Sequence, residues 1–279
     1  MTGYEPLFQL GDDPTDYRTL DLGEIENVDL GDRTFLRISD KTLSALAKTA
    51  FTDIAHLLRS GHLAQLRAIL DDPEASGNDR FIALELLKNA VIASSGDYPM
   101  CQDTGTAIVV AKKGQYVLTE GDDRAALSRG IGDVYGERNL RYSQLAPLTM
   151  FEETNTGDNL PAQLDIEAVP GSAYDFLFIA KGGGSANKTF LLQETRRILE
   201  PERFLPWLED KLVTLGTTAC PPYHLALVIG GLSAEHCLKT LKLASCRYYD
   251  ELPVDGNDKG RAFRDRELEQ GILEMTRSI

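Results

Sequence analysis

Basic charge is scarce in this sequence. Its 29 Lys and Arg stand against 43 Asp and Glu, giving a net charge of −14 and a pI near 4.8. Nucleic acids and anionic membrane surfaces are bound by clustered Lys and Arg, so neither is an expected partner. If the ligand is an anion, a few basic side chains must be gathered locally against that background. Long apolar runs are missing as well. None approaches the roughly 20 residues that span a bilayer, and Met1 to Asp13 shows neither the basic start nor the apolar stretch of a signal peptide. The expected location is therefore the cytoplasm. Cysteine is sparse: Cys101, Cys220, Cys237 and Cys246 are the four in the chain. In a reducing compartment they are expected as thiols. They form no CxxC pair, which argues against a zinc ribbon. A metal or cluster assembled from distant cysteines stays open.

What is present is an ordinary globular composition, 42% hydrophobic and 26% charged over 279 residues, with ample material for a core. Met1 to Asp32 is polar and glycine-punctuated and reads as an extended arm, with Tyr17, Leu20 and Leu22 available to pack it onto the body. Apolar residues at three- and four-residue spacing then predict helices over Lys41–Leu58, with Asp40 as N-cap, Leu63–Leu70 and Asp79–Ala93. His56 and His62 fall at the end of the first and just beyond it, and read as surface or packing residues. Beyond Ala93 the pattern mixes. Thr106–Ala111, Leu164–Val169, Tyr174–Ala180 and Leu225–Ile229 read as strands, and Tyr116–Leu118 as a short hairpin return after Lys113-Gly114. Helices are expected over Arg124–Glu137, from the glycine loop to Leu199, from Pro201 to Gly216, over Ala234–Ala244 with Ser233 as cap, and over Arg261–Arg277. The expected fold class is α/β or α+β: a helical N-terminal lobe over about 33–93, then a sheet-containing lobe with flanking helices over 94–279.

Three stretches carry chemistry. In Pro99-Met-Cys-Gln-Asp-Thr-Gly105, a cysteine, an amide, a carboxylate and a hydroxyl occupy consecutive positions at the mouth of a predicted strand. A polar loop held by a rigid strand is a common place for function. A capped turn with an inert thiol is the plainer reading. In Lys181-Gly-Gly-Gly-Ser-Ala-Asn-Lys188-Thr189 the layout is strand, glycine loop, helix, in which bare N–H groups can wrap an anion. This is one residue from a P-loop, since Asn187 stands where the second glycine belongs. A flexible turn is the alternative. In Thr217-Thr-Ala-Cys-Pro-Pro-Tyr-His224, two prolines stiffen the presentation of Cys220. Arg141 reads either as a solvated side chain or as a carboxylate fork. Cys237 and Cys246, in or near the helix from Ala234, read as packing cysteines.

Taken together, Cys-Gln-Asp-Thr-Gly, Lys-Gly-Gly-Gly-Ser-Ala-Asn-Lys and Ala-Cys-Pro-Pro-Tyr-His resemble the class I, iron–sulfur fumarate hydratases. Asn139-Leu-Arg-Tyr-Ser, Asn155-Thr-Gly-Asp-Asn-Leu-Pro-Ala-Gln and Leu241-Lys-Leu-Ala-Ser look like the same family. The joint order of these motifs, from about Tyr17 onward, is what makes the resemblance specific. It implies a hydro-lyase of the tricarboxylic acid cycle that interconverts fumarate and (S)-malate. It also implies a [4Fe–4S] cluster held by three cysteine thiolates with one iron left open. By motif, Cys101 and Cys220 would be two of the metal ligands. Gln102, Asp103, Arg141 and Gly184 would bind the C4 dicarboxylate, with Asp103 catalytic in proton transfer, Arg141 gripping a carboxylate and Gly184 offering backbone contact. A homodimer is implied too. In the family the third cluster cysteine and a catalytic threonine lie downstream of the segment matching Arg261 to Ile279. The expectation is therefore an incomplete N-terminal, alpha-type hydro-lyase domain with little activity alone. Alternatives are the alpha subunit of a tartrate or mesaconate dehydratase, or, in another class, a nucleotide-binding module using residues 182–189.

Overall fold

The computed structural model describes residues 4–13, 16–219 and 223–279. They form a mixed α/β structure that divides into two compact units, residues 20–183 and residues 1–19 with 184–279.

The unit of residues 20–183 begins with a hairpin of strands β1 (Ile25–Leu30) and β2 (Arg33–Ile38), antiparallel in the register Leu30 to Arg33. The arm expected up to Asp32 therefore ends early. The signal was a Gly31-Asp32 turn between two alternating segments, with Gly31 at φ 67°. Helix α1 (Asp40–His56) follows. Its N-cap is Ser39, whose hydroxyl accepts the Thr42 N–H at 3.1 Å, so the helix starts one residue before the expected Lys41 and Asp40 lies in its first turn. Helices α2 (Ser60–Asp71) and α3 (Gly77–Ala93) complete the predicted series, and α3 opens on a capping box between Ser76 and Asp79.

Strand β3 (Thr106–Gly114) is the centre of the main sheet, parallel to β7 (Gln163–Val169) and antiparallel to β8 (Tyr174–Lys181). Both of its edges are occupied, so no edge remains for a hairpin return. The N–H groups of Gly114, Gln115 and Tyr116 instead bond the carbonyls of Ala173, Val169 and Gly171 at 2.8, 2.9 and 3.0 Å. The chain thereby crosses the β7–β8 turn, and β4 (Val117–Thr119) joins β2 in parallel in the other sheet. Helix α4 (Asp123–Glu137) then packs on α1. Leu43, Ala47 and Phe51 of α1, Leu127, Ile131 and Val134 of α4, and Ala107 and Val109 of β3 form the core between these helices and the sheet. Gly130 weakens α4 by propensity, and the structure supplies its reason: a Cβ there would lie 2.0 Å from the Ser44 carbonyl of α1. A two-stranded ribbon, β5 (Leu145–Pro147) with β6 (Glu153–Asn155), projects from the loop region.

In the other unit, α6 (Pro201–Val213) and α8 (Arg266–Thr276) share a core of Phe204, Leu208 and Ile272. Helix α7 (Ala234–Ser245) is capped by Ser233 as expected. Residues near the N-terminus pack here through Leu7 and Phe8: the Leu7 carbonyl accepts the Ala262 N–H at 2.8 Å, and Phe8 stacks on Tyr249. Tyr17, expected to anchor the arm, is 75% exposed. The expected helix from the glycine loop to Leu199 does not form. Helix α5 (Gly183–Asn187) is one turn, and a 3-10 turn returns only at Arg196–Leu199. Its first two positions are glycines, each costing about 1 kcal/mol relative to alanine. The contiguous Phe190-Leu191-Leu192 gives no helical stripe to bury. Leu225–Ile229 is not a strand either. Among the described residues its unit offers no strand to pair with, and Leu225, Leu227 and Ile229 remain exposed.

Candidate active site

The Cys101 loop is held from behind by its own backbone. The Met100 N–H donates to the Ala55 carbonyl at the end of α1 at 2.8 Å, and Asn89 Nδ2 of α3 donates to the Met100 carbonyl at 2.7 Å. Cys101 itself is exposed, and its Sγ accepts the Asp103 N–H at 3.4 Å. A solvent-facing sulfur that already takes a backbone N–H suits a thiolate ligand for a soft metal, because such bonds orient and tune the sulfurs of iron–sulfur clusters. Gln102, exposed, follows it. Asp103 turns back toward the end of β8: its Oδ2 accepts the Gly183 N–H at 2.8 Å, and Oδ1 has no hydrogen-bond partner among the described residues.

Gly105 makes this turn possible. It sits at φ 59°, and a Cβ on it would meet the Lys181 carbonyl oxygen at 1.9 Å. Only a bare Cα lets the loop lie against the end of β8. A Cβ on Gly182 would come 3.0 Å from Asp103 Oδ2, a tight approach to the end of that side chain.

Arg141 lies in an irregular loop after α4, with its side chain exposed. Its guanidinium makes no ion pair or hydrogen bond among the described residues. Its backbone is tied to the Cys101 loop, since the Thr104 hydroxyl donates to the Arg141 carbonyl and also contacts Ser143 Oγ at 3.3 Å. The structure thus brings Cys101, Gln102, Asp103 and Arg141 into two adjoining loops of one unit.

Gly184 belongs to the other unit. A Cβ there would lie 3.2 Å from Cα of Ala219, the residue that precedes Cys220 in the sequence. The glycine loop therefore lies beside the start of the second cysteine segment. Cys220, Pro221 and Pro222 fall outside the described residues. Among the described residues no group of three His, Cys, Asp or Glu is arranged to hold a metal ion. The P-loop alternative loses its geometry, because the long helix whose N-terminus would face the phosphates is replaced by the single turn of α5.

Two residues near the site were not singled out in the sequence. Tyr135 of α4 is buried and donates from its hydroxyl to the Thr104 carbonyl at 3.2 Å. Burial raises its pKa, with the nearby Asp103 charge acting in the same direction, so it remains a donor. Asn159 is fully buried within the loop between β6 and β7. An asparagine in a polar, glycine-punctuated loop gives no pattern that distinguishes it from a turn residue.

The chain matches the family model of fumarate hydratase (Fumerase) over residues 44–279. It is 53% identical over 276 residues to a class I anaerobic fumarate hydratase of Escherichia coli K12, covering 99% of this chain and 50% of that one. It is 57% identical over 251 residues to fumarate hydratase 2 of Leishmania major, covering 90% of this chain and 44% of that one. A chain of Methanocaldococcus jannaschii, provisionally named as an L(+)-tartrate dehydratase alpha subunit, is 27% identical over 205 residues, covering 70% of this chain and 66% of its own length. This chain therefore spans about half the length of the fumarate hydratases it matches.

Proposed function

This chain belongs to the fumarate hydratase (Fumerase) family, and from that premise we propose that it contributes the Cys101 loop, Arg141 and the glycine loop to the reversible hydration of fumarate to (S)-malate. The observation that carries the reading is the Cys101–Asp103 turn. It sets a solvent-facing sulfur and a half-satisfied carboxylate side by side on a loop that Gly105 permits.

Adding water to a fumarate double bond puts a hydroxyl on one alkene carbon and a proton on the other. Both are hard steps, because water is a weak nucleophile and the carbon beside a carboxylate gives up its proton reluctantly in the reverse direction. A [4Fe–4S] cluster with one open iron supplies Lewis acidity toward the hydroxyl oxygen when bound. Cys101 and Cys220 would hold it on this chain. Arg141, with its guanidinium uncommitted, takes a substrate carboxylate as a two-pronged fork. The Gly184 N–H adds a donor to charge that develops on a carboxylate as the reaction proceeds. Asp103 handles a proton at Oδ1 while the Gly183 N–H on Oδ2 fixes the direction of the carboxylate. Gln102 orients the substrate from the neighbouring position. A homodimer and a cytoplasmic location belong to the same reading. No helix among the described residues is long and apolar enough to cross a membrane.

The test is a substrate panel offered to the whole polypeptide as its cell makes it, purified without oxygen. Fumarate hydration well above that of mesaconate, and above tartrate dehydration, is the expected outcome. The degree of likeness to the fumarate hydratases, against 27% for the tartrate-type chain, supports that order. A preference for tartrate or mesaconate would replace the substrate. Absence of all three activities would overturn the reading.

A further inference from the structure

We propose that Asn159 is a positioning residue that fixes the Asp103 loop and the Arg141 loop relative to each other; the catalytic part of this inference rests on the function proposed above. Asn159 has no exposed surface. Its Oδ1 accepts two backbone N–H groups, from Ser143 at 2.6 Å and from Gln144 at 2.9 Å. Its Nδ2 donates to the Gly105 carbonyl at 3.0 Å. Ser143 stands two residues after Arg141, and Gly105 two residues after Asp103. One buried amide therefore bridges the segments that carry the carboxylate fork and the proton-handling carboxylate.

The chemistry of the side chain explains why it is an asparagine. The site demands an acceptor for two converging N–H donors at one end and a donor for a carbonyl at the other. Aspartate satisfies the first demand and would turn a second oxygen on the Gly105 carbonyl. The residue also sits at φ 60°, a region that asparagine enters more readily than other residues with a Cβ. The remaining support comes from Tyr135, whose hydroxyl holds the Thr104 carbonyl and lies beside Asn159. A buried polar group with its partners satisfied is costly to break and has one geometry, which is what a spacer between two functional loops requires.

Two variants in the whole polypeptide separate this role from a general structural one. Asn159→Gly keeps the backbone conformation and removes all three bonds. Asn159→Asp keeps the two acceptor bonds and removes only the donor to the Gly105 carbonyl. Amide hydrogen exchange reads the clamp without any reference to activity. Exchange at Ser143 and Gln144, whose N–H groups Asn159 Oδ1 accepts, is expected to speed up in Asn159→Gly and to stay slow in Asn159→Asp, while α1 and α4 keep their protection. Kinetics read the consequence: KM for fumarate is expected to rise in Asn159→Gly with cluster content unchanged, by about 10- to 100-fold, the scale at which a displacement near 1 Å affects catalysis. That rise should largely vanish on an Arg141→Lys background, because both changes act through the same grip. Unchanged exchange in these loops would overturn the clamp. A penalty that adds fully to Arg141→Lys, or that lowers kcat and protein yield together at constant KM, would overturn the positioning role. If the unmodified polypeptide does not hydrate fumarate, the function fails, and the exchange rates still decide whether Asn159 ties the loops.

Discussion

Asp123 shows how one residue can staple two sheets to a helix. It opens α4, and its Oδ2 accepts from Lys113 Nζ of β3 and from the Tyr174 hydroxyl of β8, both at 2.8 Å. Lys113 also reaches Thr119 of β4 at 2.6 Å. Burial alone would raise the Asp123 pKa, but the hydrogen bonds from Lys113, Thr119 and Tyr174 outweigh it and hold the carboxyl below its ordinary 3.8. Burial and the same carboxylate push Tyr174 up, so it stays a donor through the physiological range. The sign follows from linkage. A carboxyl whose pKa is lower folded than unfolded contributes stability that is complete above the unfolded value and drains away as pH falls through the folded one. Urea midpoints of the wild type are therefore expected to fall below about pH 4 more steeply than those of Asp123→Asn, whose midpoint at neutral pH is lower to begin with. Parallel curves would show that Asp123 contributes nothing specific. At this scale the sequence was most legible where a motif named the residue: Cys101, Gln102, Asp103 and Arg141 do fall in adjoining loops. Asn159 and Tyr135 were not legible. Each acts through backbone groups distant in sequence, and nothing in local composition encodes the partner of a buried amide.

Among the elements, α4 lies close against the backbone of α1 at Gly130. Ser44 Oγ of α1 donates to the Ala126 carbonyl of α4 at 2.6 Å, one turn from Gly130. Replacing Gly130 by alanine gains about 1 kcal/mol of helix propensity. It also drives a methyl group into a backbone carbonyl that cannot rotate away. Overpacking against backbone is expected to win, with a net loss of about 2 kcal/mol in urea unfolding. A stabilised Gly130→Ala variant would mean that the helices separate without cost. The helices of the first unit and the strands β3, β7 and β8 were readable because their apolar periodicity is strong. Besides the helix after the glycine loop, two expected elements failed because their fate depends on pairing. The β4 segment joined another sheet because β3 had no free edge. Leu225–Ile229 has strand composition and no partner strand among the described residues of its unit. Propensity reports what a segment tolerates, whereas a ladder needs a neighbour that the segment does not encode.

On the scale of the whole molecule, the proposed site residues fall in both units of the chain. Cys101, Gln102, Asp103 and Arg141 lie in one, and Gly184 with Ala219 in the other. The α/β class was legible from the order of periodic segments, and the family from the joint order of three short motifs; neither required the strand order, which no local pattern gives. The central claim is that the Cys101–Asp103 turn is the reacting centre, with Asp103 as the proton-handling group. The most direct test is the steady-state kinetics of fumarate hydration by Asp103→Asn in the whole polypeptide, prepared without oxygen. Asparagine keeps the size of the side chain and an oxygen for the Gly183 N–H, and removes the carboxylate that carries the proton. The expected result is a fall in kcat of at least about 100-fold, at the scale of a lost general acid–base group, with iron content unchanged and KM moved far less. A variant that keeps its kcat, or that loses activity only in proportion to lost iron, would contradict it.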